Sequence, residues 1–264
     1  MALHTFDRMV VEDEGEGDAV VCVHGLGGSS NTFTPLMPAL ARHRVVRVDL
    51  PGSGRSQAAE GAITMARMVD ALANACGRLG LGQAHFIAHS MGTIVCQHLA
   101  VQAPKLVRSL ALFGPLMAPT DAARSGLRGR AAKARNEGAA GMQDITAALL
   151  AASVSADSRQ RLPLAVAFVR ESLMRQSGDA YARTCEALAD TVVARVENST
   201  CPVLLVTGDE DVVAPPQAVR AFAQRLHGAS SVRVVLLPRC GHWTPVERAA
   251  ECQAELRGFL ATQR

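Results

Sequence analysis

The sequence predicts an α/β fold, a mainly parallel sheet with helices on both faces. Short β-rich apolar runs, all strand-sized, recur along the 264 residues. Helical patterns separate most of them, the alternation expected of a parallel sheet. A hydrophobic content of 48% in a chain of this length can bury one large core.

Strands are expected near residues 20–23, 45–48, 84–88, 108–113, 203–207 and 232–237, and helices near 64–79, 91–102, 216–226 and 246–260. Ahead of the first clear strand there is room for one more, around residues 6–12. From Pro115 to about Arg195 the chain is Ala-rich and helical without a convincing strand, and it interrupts the strand rhythm.

The most informative stretch is Ala84 to Thr93, an apolar strand that ends in Ala88-His89-Ser90-Met91-Gly92 and enters an apolar helix. A serine on such a bend projects its hydroxyl clear of its neighbours. The helix N-terminus beside it offers free N–H groups and positive dipole character to a developing oxyanion. Gly92 supplies the small residue that the tight bend demands, and Ala88 stands where glycine is commoner. Earlier, Val20-Val21-Cys22-Val23 breaks into His24-Gly25-Leu26-Gly27-Gly28-Ser29. The Leu26 amide, with that of Met91, would make a two-donor oxyanion hole. A phosphate loop is a poor alternative, because the lysine and following hydroxyl of that motif are absent.

Two later strands run into Gly208-Asp209-Glu210-Asp211 and Pro238-Arg239-Cys240-Gly241-His242-Trp243. An acid and a histidine on loops after parallel strands fall on the same sheet edge as Ser90, where such folds build their sites. His242 is the candidate base, since His227 reads as a histidine near a helix C-terminus. Asp209, Glu210 and Asp211 compete as the acid. His85 and His89 straddle a strand and a turn, and neither HExxH nor paired cysteine spacing occurs, so neither a metal nor a cofactor is implied.

With these residues placed, the chain resembles the α/β-hydrolase superfamily over nearly its full length. The matching residues are His24-Gly25 with Gly27-Gly28, Asp49-Leu50-Pro51-Gly52-Ser53-Gly54-Arg55-Ser56, Ala88 to Gly92, Gly208 to Asp211, and Gly241-His242. The order serine, acid, histidine is that of the superfamily's triad. The resemblance implies an α/β-hydrolase core over residues 1–114 and 196–264, with a helical cap over 115–195. Its Gly-x-x-Asp pattern selects Asp211, with Asp209 bracing the turn, and gives the Asp49 to Ser56 loop a structural role. The implied activity is that of a serine hydrolase of small esters or lactones: Ser90 attacks, His242 takes the proton and Asp211 orients the imidazole. Haloalkane dehalogenases and epoxide hydrolases need a carboxylate nucleophile, which Ser90 argues against. A cofactor-free carbon–carbon bond hydrolase and a non-enzymatic small-ligand receptor remain as alternatives.

The cap resembles that of the 3-oxoadipate enol-lactonases through Lys133-Ala134-Arg135-Asn136-Glu137-Gly138 and Asp179 to Ala187, which adds a carboxylated enol-lactone to the candidate substrates. From Pro115 to Arg195 there are 11 Lys and Arg against eight Asp and Glu. Arg124, Arg128, Arg130, Lys133 and Arg135 lie in one stretch without an intervening acid. Either they form a solvated helix face, or they roof the site and draw in carboxylated substrates. Trp243, the single tryptophan, is expected as a pocket wall.

A net charge of +3 and 3% aromatic residues argue against a nucleic-acid partner. No basic segment followed by a long apolar one opens the chain, which argues against a signal peptide or membrane span. Seven cysteines without paired spacing read as reduced core residues of a cytoplasmic protein. The expected partner is a small-molecule ester or lactone, and homo-oligomer formation is left open.

Overall fold

The computed structural model describes residues 1–57 and 61–263. One sheet contains eight strands: β1 (Ala2–Phe6), β2 (Met9–Glu14), β3 (Ala19–Val23), β4 (Arg44–Asp49), β5 (Ala84–His89), β6 (Val107–Phe113), β7 (Val203–Gly208) and β8 (Val232–Leu237). Their spatial order is β1-β2-β4-β3-β5-β6-β7-β8. The pairs β1–β2 and β2–β4 are antiparallel and every later pair is parallel. Every residue of β5 and β7 is buried, as befits central parallel strands covered on both faces, whereas β1 is largely exposed at the edge.

The single strand expected around residues 6–12 is instead a two-stranded ribbon. Asp7 and Arg8 turn the chain with φ of 48° and 67°. Both central residues of such a turn carry positive φ, a geometry usually announced by Asn-Gly or Asp-Gly. Asp7-Arg8 carries no such signature, so the sequence hides the turn.

Nine helices are described: α1 (Met65–Arg78), α2 (Met91–Gln102), α3 (Asp121–Ser153), α4 (Ala156–Arg161), α5 (Pro163–Met174), α6 (Gly178–Ala189), α7 (Pro216–Arg225), α8 (Thr244–Glu247) and α9 (Ala249–Ala261). Thr64 caps α1, its hydroxyl accepting the Arg67 N–H at 3.1 Å. Met68, Leu72, Ala75 and Cys76 recur on its buried face at helical spacing. The helix expected over 246–260 is two helices, α8 and α9. The backbone at Arg248 (φ −134°, ψ 55°) leaves the helical region between them. The Arg248 guanidinium is held by Asp157 at 2.7 Å and the Pro238 carbonyl at 3.2 Å, and helix periodicity does not encode such tertiary bonds.

The core has two parts. On one face of the sheet Met68, Leu72, Ile94, Leu99 and Phe222 pack together, and on the other Phe33, Leu36, Leu256 and Phe259 do. Helices α3 to α6 lie between β6 and β7 as a helical insertion, with α3 packed on α5 and α6. No helix among the described residues is long and apolar enough to cross a membrane. All seven cysteines are free, and six of them are buried.

Candidate active site

Ser90 sits between β5 and α2 with φ 51° and ψ −122°. A non-glycine residue in that region stores about 1–3 kcal/mol of strain, held here by Ser90 N–H on Phe113 O at 3.0 Å. A Cβ at position 92 would collide with the Val23 carbonyl, so only glycine lets α2 approach the end of β3 this closely.

The loops after β7 and β8 bring two partners to this serine. His242 Nε2 is 2.8 Å from Ser90 Oγ, and His242 Nδ1 is 2.9 Å from Asp211 Oδ2. Asp211 as a carboxylate can only accept there, so Nδ1 carries the proton and Nε2 is free to accept from the serine hydroxyl. The other Asp211 oxygen accepts the Val213 and Ala214 N–H groups, each at 2.8 Å. Burial pushes the Asp211 carboxyl up, but the His242 charge and these hydrogen bonds outweigh it and hold it below the ordinary carboxylate range. Asp209 accepts Cys240 N–H at 3.1 Å and Glu210 accepts Ala156 N–H at 2.9 Å. His227 is exposed beyond the end of α7.

Two buried histidines shape the surroundings. His24 Nε2 accepts Leu50 N–H at 2.9 Å, which leaves Nδ1–H to donate to Gly25 O at 2.8 Å. That ring fixes the glycine-rich loop carrying Leu26. A Cβ at Gly25 would lie 2.6 Å from the Ser90 Cβ, so this loop and the serine turn touch. His89 Nε2 donates to the backbone carbonyl of His242 at 2.9 Å. Burial, and then the charge of His242, push its pKa down to about 3.

Ser90 and His242 open on a cavity of about 570 Å³ between the sheet edge and the helical insertion. Its walls are mostly apolar, with Leu26, Leu116, Leu127, Leu173, Phe222 and Trp243 among them. Met91 opens α2, so its N–H is one that the helix leaves unpaired.

The five cations of α3 take separate places, and four of them are not among the residues that line this cavity. Arg124 donates to the carbonyls of Ala189 and Thr191. Arg128 pairs with Asp190 at 2.9 Å, and Lys133 with Glu137 at 2.8 Å and Asp144 at 2.9 Å. Arg135 grips Glu186 through two bonds of 2.8 and 2.9 Å. Arg130 is the one of the five that lines the cavity. Beside it stands Tyr181, which sequence reasoning had not placed in the site. Tyr181 is 1% exposed and lines the cavity, with its hydroxyl close to Arg130 and Cys185. An aromatic within a helical, Ala-rich stretch is the only signal that could have singled it out.

Residues 18–249 match the model of the alpha/beta hydrolase fold family. The chain belongs to that family. Its fold closely follows an enol-lactonase from Burkholderia xenovorans LB400, with a TM-score of 0.87 and 26% identity over 98% of this chain and 100% of that one. A thermophilic esterase from Thermogutta terrifontis, solved with malate bound, superposes with a TM-score of 0.89 at 25% identity, covering 97% of this α/β hydrolase and 93% of that chain. The dihydrolipoyllysine-residue acetyltransferase component of the acetoin cleaving system of Cupriavidus necator is 30% identical over 93% of this chain, which spans 64% of that protein's length. The family and these structural neighbours support a hydrolase role.

Proposed function

We propose that this α/β hydrolase cleaves small esters or lactones through an acyl-enzyme on Ser90. The observation that carries the reading is the hydrogen-bonded chain from Asp211 through His242 to Ser90, with links of 2.9 and 2.8 Å, opening on an apolar cavity. Ser90 Oγ bonds to the carbonyl carbon while its proton passes to His242 Nε2, and Asp211 stabilises the imidazolium that forms. The Leu26 and Met91 amides receive the oxyanion. His242 then protonates the departing alkoxide, and a water activated by the same imidazole releases the acid. The helical insertion acts as the cap.

The cavity falls within the ordinary range for a small organic ligand, about 300–1,000 Å³. Its apolar walls suit a substrate with an apolar body. Arg130, with the Tyr181 hydroxyl beside it, suits a single carboxylate on that body. Malate in the Thermogutta terrifontis esterase is a carboxylate held by a neighbour of the same fold.

A panel of p-nitrophenyl acetate, lactones, carboxylated esters with their neutral isosteres, and vinylogous diketones tests this reading. Turnover of esters or lactones by the protein and its loss in Ser90→Ala are expected. A panel in which only the diketones are cleaved would move the reaction to carbon–carbon bonds, and an inert protein would overturn the enzymatic reading.

A further inference from the structure

Glu247 belongs to none of the groups described so far, yet it is 3% exposed and its carboxylate meets three backbone amides. Oε1 accepts Trp243 N–H at 3.0 Å. Oε2 accepts Gly241 N–H at 3.1 Å and Ser155 N–H at 2.8 Å. Residues 241 and 243 flank His242, whereas Ser155 lies in the helical insertion just before α4. The amide between them behaves alike: His242 N–H donates to Ser153 O at 2.7 Å. The Trp243 indole N–H also reaches Ser153 Oγ at 3.2 Å. At Gly241 an added Cβ would stand 2.5 Å from Ser153 O and 2.8 Å from Ser155 N, so the two segments are in direct backbone contact.

We propose that Glu247 is a positioning residue that fastens the His242 loop to the end of the helical insertion, so that the insertion sets the aim of the base as well as covering the cavity. The inference rests on His242 being the base for Ser90. Three consecutive amides of a loop that would otherwise be irregular are fixed from one side, and all three bonds bear on the backbone that carries the imidazole. A carboxylate suits this role because its two oxygens accept the Gly241, Trp243 and Ser155 N–H groups at once, and bonds to an ionised acceptor are about twice as strong as neutral ones. Glutamine cannot reproduce the pattern, since its amide nitrogen would face an N–H donor. Displacement of a reacting group by about 1 Å can cost on the order of 10²-fold in rate, and the 2.8 Å contact to Ser90 leaves little slack.

The test is Glu247→Gln, assayed on p-nitrophenyl acetate with active sites counted by a fluorophosphonate. The expected result is a kcat per titrated site lower by about 10–100-fold, KM unchanged, and a shifted emission from Trp243, the chain's single tryptophan. Should Glu247→Gln fail to fold, Ser155→Pro decides. Ser155 has φ −59° and Val154 has φ −104° and ψ 132°, which already suit a proline, so the substitution removes the insertion's N–H without bending the chain. It should lower kcat per site in the same way. Wild-type kcat per site in a folded variant, or a loss confined to the number of titratable sites, would overturn the proposal. Wild-type turnover and Ser90→Ala test the underlying serine reading separately.

Discussion

The carboxyl edge of the sheet and the first half of the helical insertion both collect charged and reactive side chains, yet they are assembled by different rules. At the sheet edge each group stands one to five residues beyond a strand, and the parallel strands bring the turns together. Ser90 and His242 meet there although they are 152 positions apart. Along α3 the cations are neighbours in sequence and find separate partners: Arg128 meets Asp190, and Arg135 meets Glu186, 62 and 51 positions away. Adjacency in sequence thus gathers nothing by itself. A strand end gathers groups because the sheet fixes where every strand end goes.

The sharpest way to break this contrast is at the serine. Ser90→Ala should lower kcat by about 10⁶-fold, because nucleophile and base act as one unit. Retention of most turnover would remove the acyl-enzyme. Next in size is Asp211→Asn, expected to cost on the order of 10⁴-fold by favouring the wrong imidazole tautomer. Asp209→Asn, in a residue whose carboxylate braces Cys240 N–H, should be mild by comparison. The reverse ranking would transfer the acid role to Asp209.

Within the insertion the contrast is sharpened by Arg130→Gln set against Arg128→Gln. The first should lower kcat/KM for a carboxylated ester by about 10–100-fold, the worth of a charge-assisted hydrogen bond, and spare the neutral isostere. The second should change neither, since Arg128 lies outside the cavity lining and its pair with Asp190 is exposed to solvent. A contact preference survives added salt, whereas diffuse steering is screened beyond about 8 Å at physiological ionic strength. Equal use of the matched esters by the unmodified protein would sink the carboxylate reading.

The smallest effect is on stability. The buried imidazoles of His24, His85 and His89 are held neutral chiefly by burial, His85 with a pKa pushed down to about 4 and His89 to about 3. Unfolded histidine titrates at about 6.5, so their contribution is complete above that pH and is lost as pH falls towards the folded values. His89, fully enclosed, should alone steepen the loss by as much as about 1.4 kcal/mol per pH unit. Buried carboxylates held low, Asp49 and Asp211, add to the loss only further into acid. Urea melts at pH 7, 6 and 5 should show falling stability, and a flat series would mean that the imidazoles take up protons in the folded state.

What the sequence disclosed follows the same division. The parallel strands were legible because each is a short apolar run, and the positions of Ser90 and His242 because each follows such a run, whereas three acids follow β7 and only the family's Gly-x-x-Asp pattern singled out Asp211. The Asp7-Arg8 hairpin was hidden because its residues lack the usual turn signature. The break at Arg248 was hidden because its bonds reach Asp157, 91 positions away. Tyr181 stood out only as an aromatic in an Ala-rich stretch and Glu247 not at all, since a buried phenol and a helix-end acid look ordinary until the cavity and the amides around them are seen.

The free cysteines described with the fold carry a practical consequence. Thiolates, not thiols, react with alkylating agents. Burial pushes Cys22 and Cys76 up to about 12 and Cys185 up to about 11, and it raises Cys96, Cys240 and Cys252 as well. Half-buried Cys201 is raised too. The folded chain is therefore nearly blind to iodoacetamide, and each unfolding event uncovers thiols throughout the core. The mass added by alkylation becomes an internal clock for opening, readable in any variant without reference to its activity.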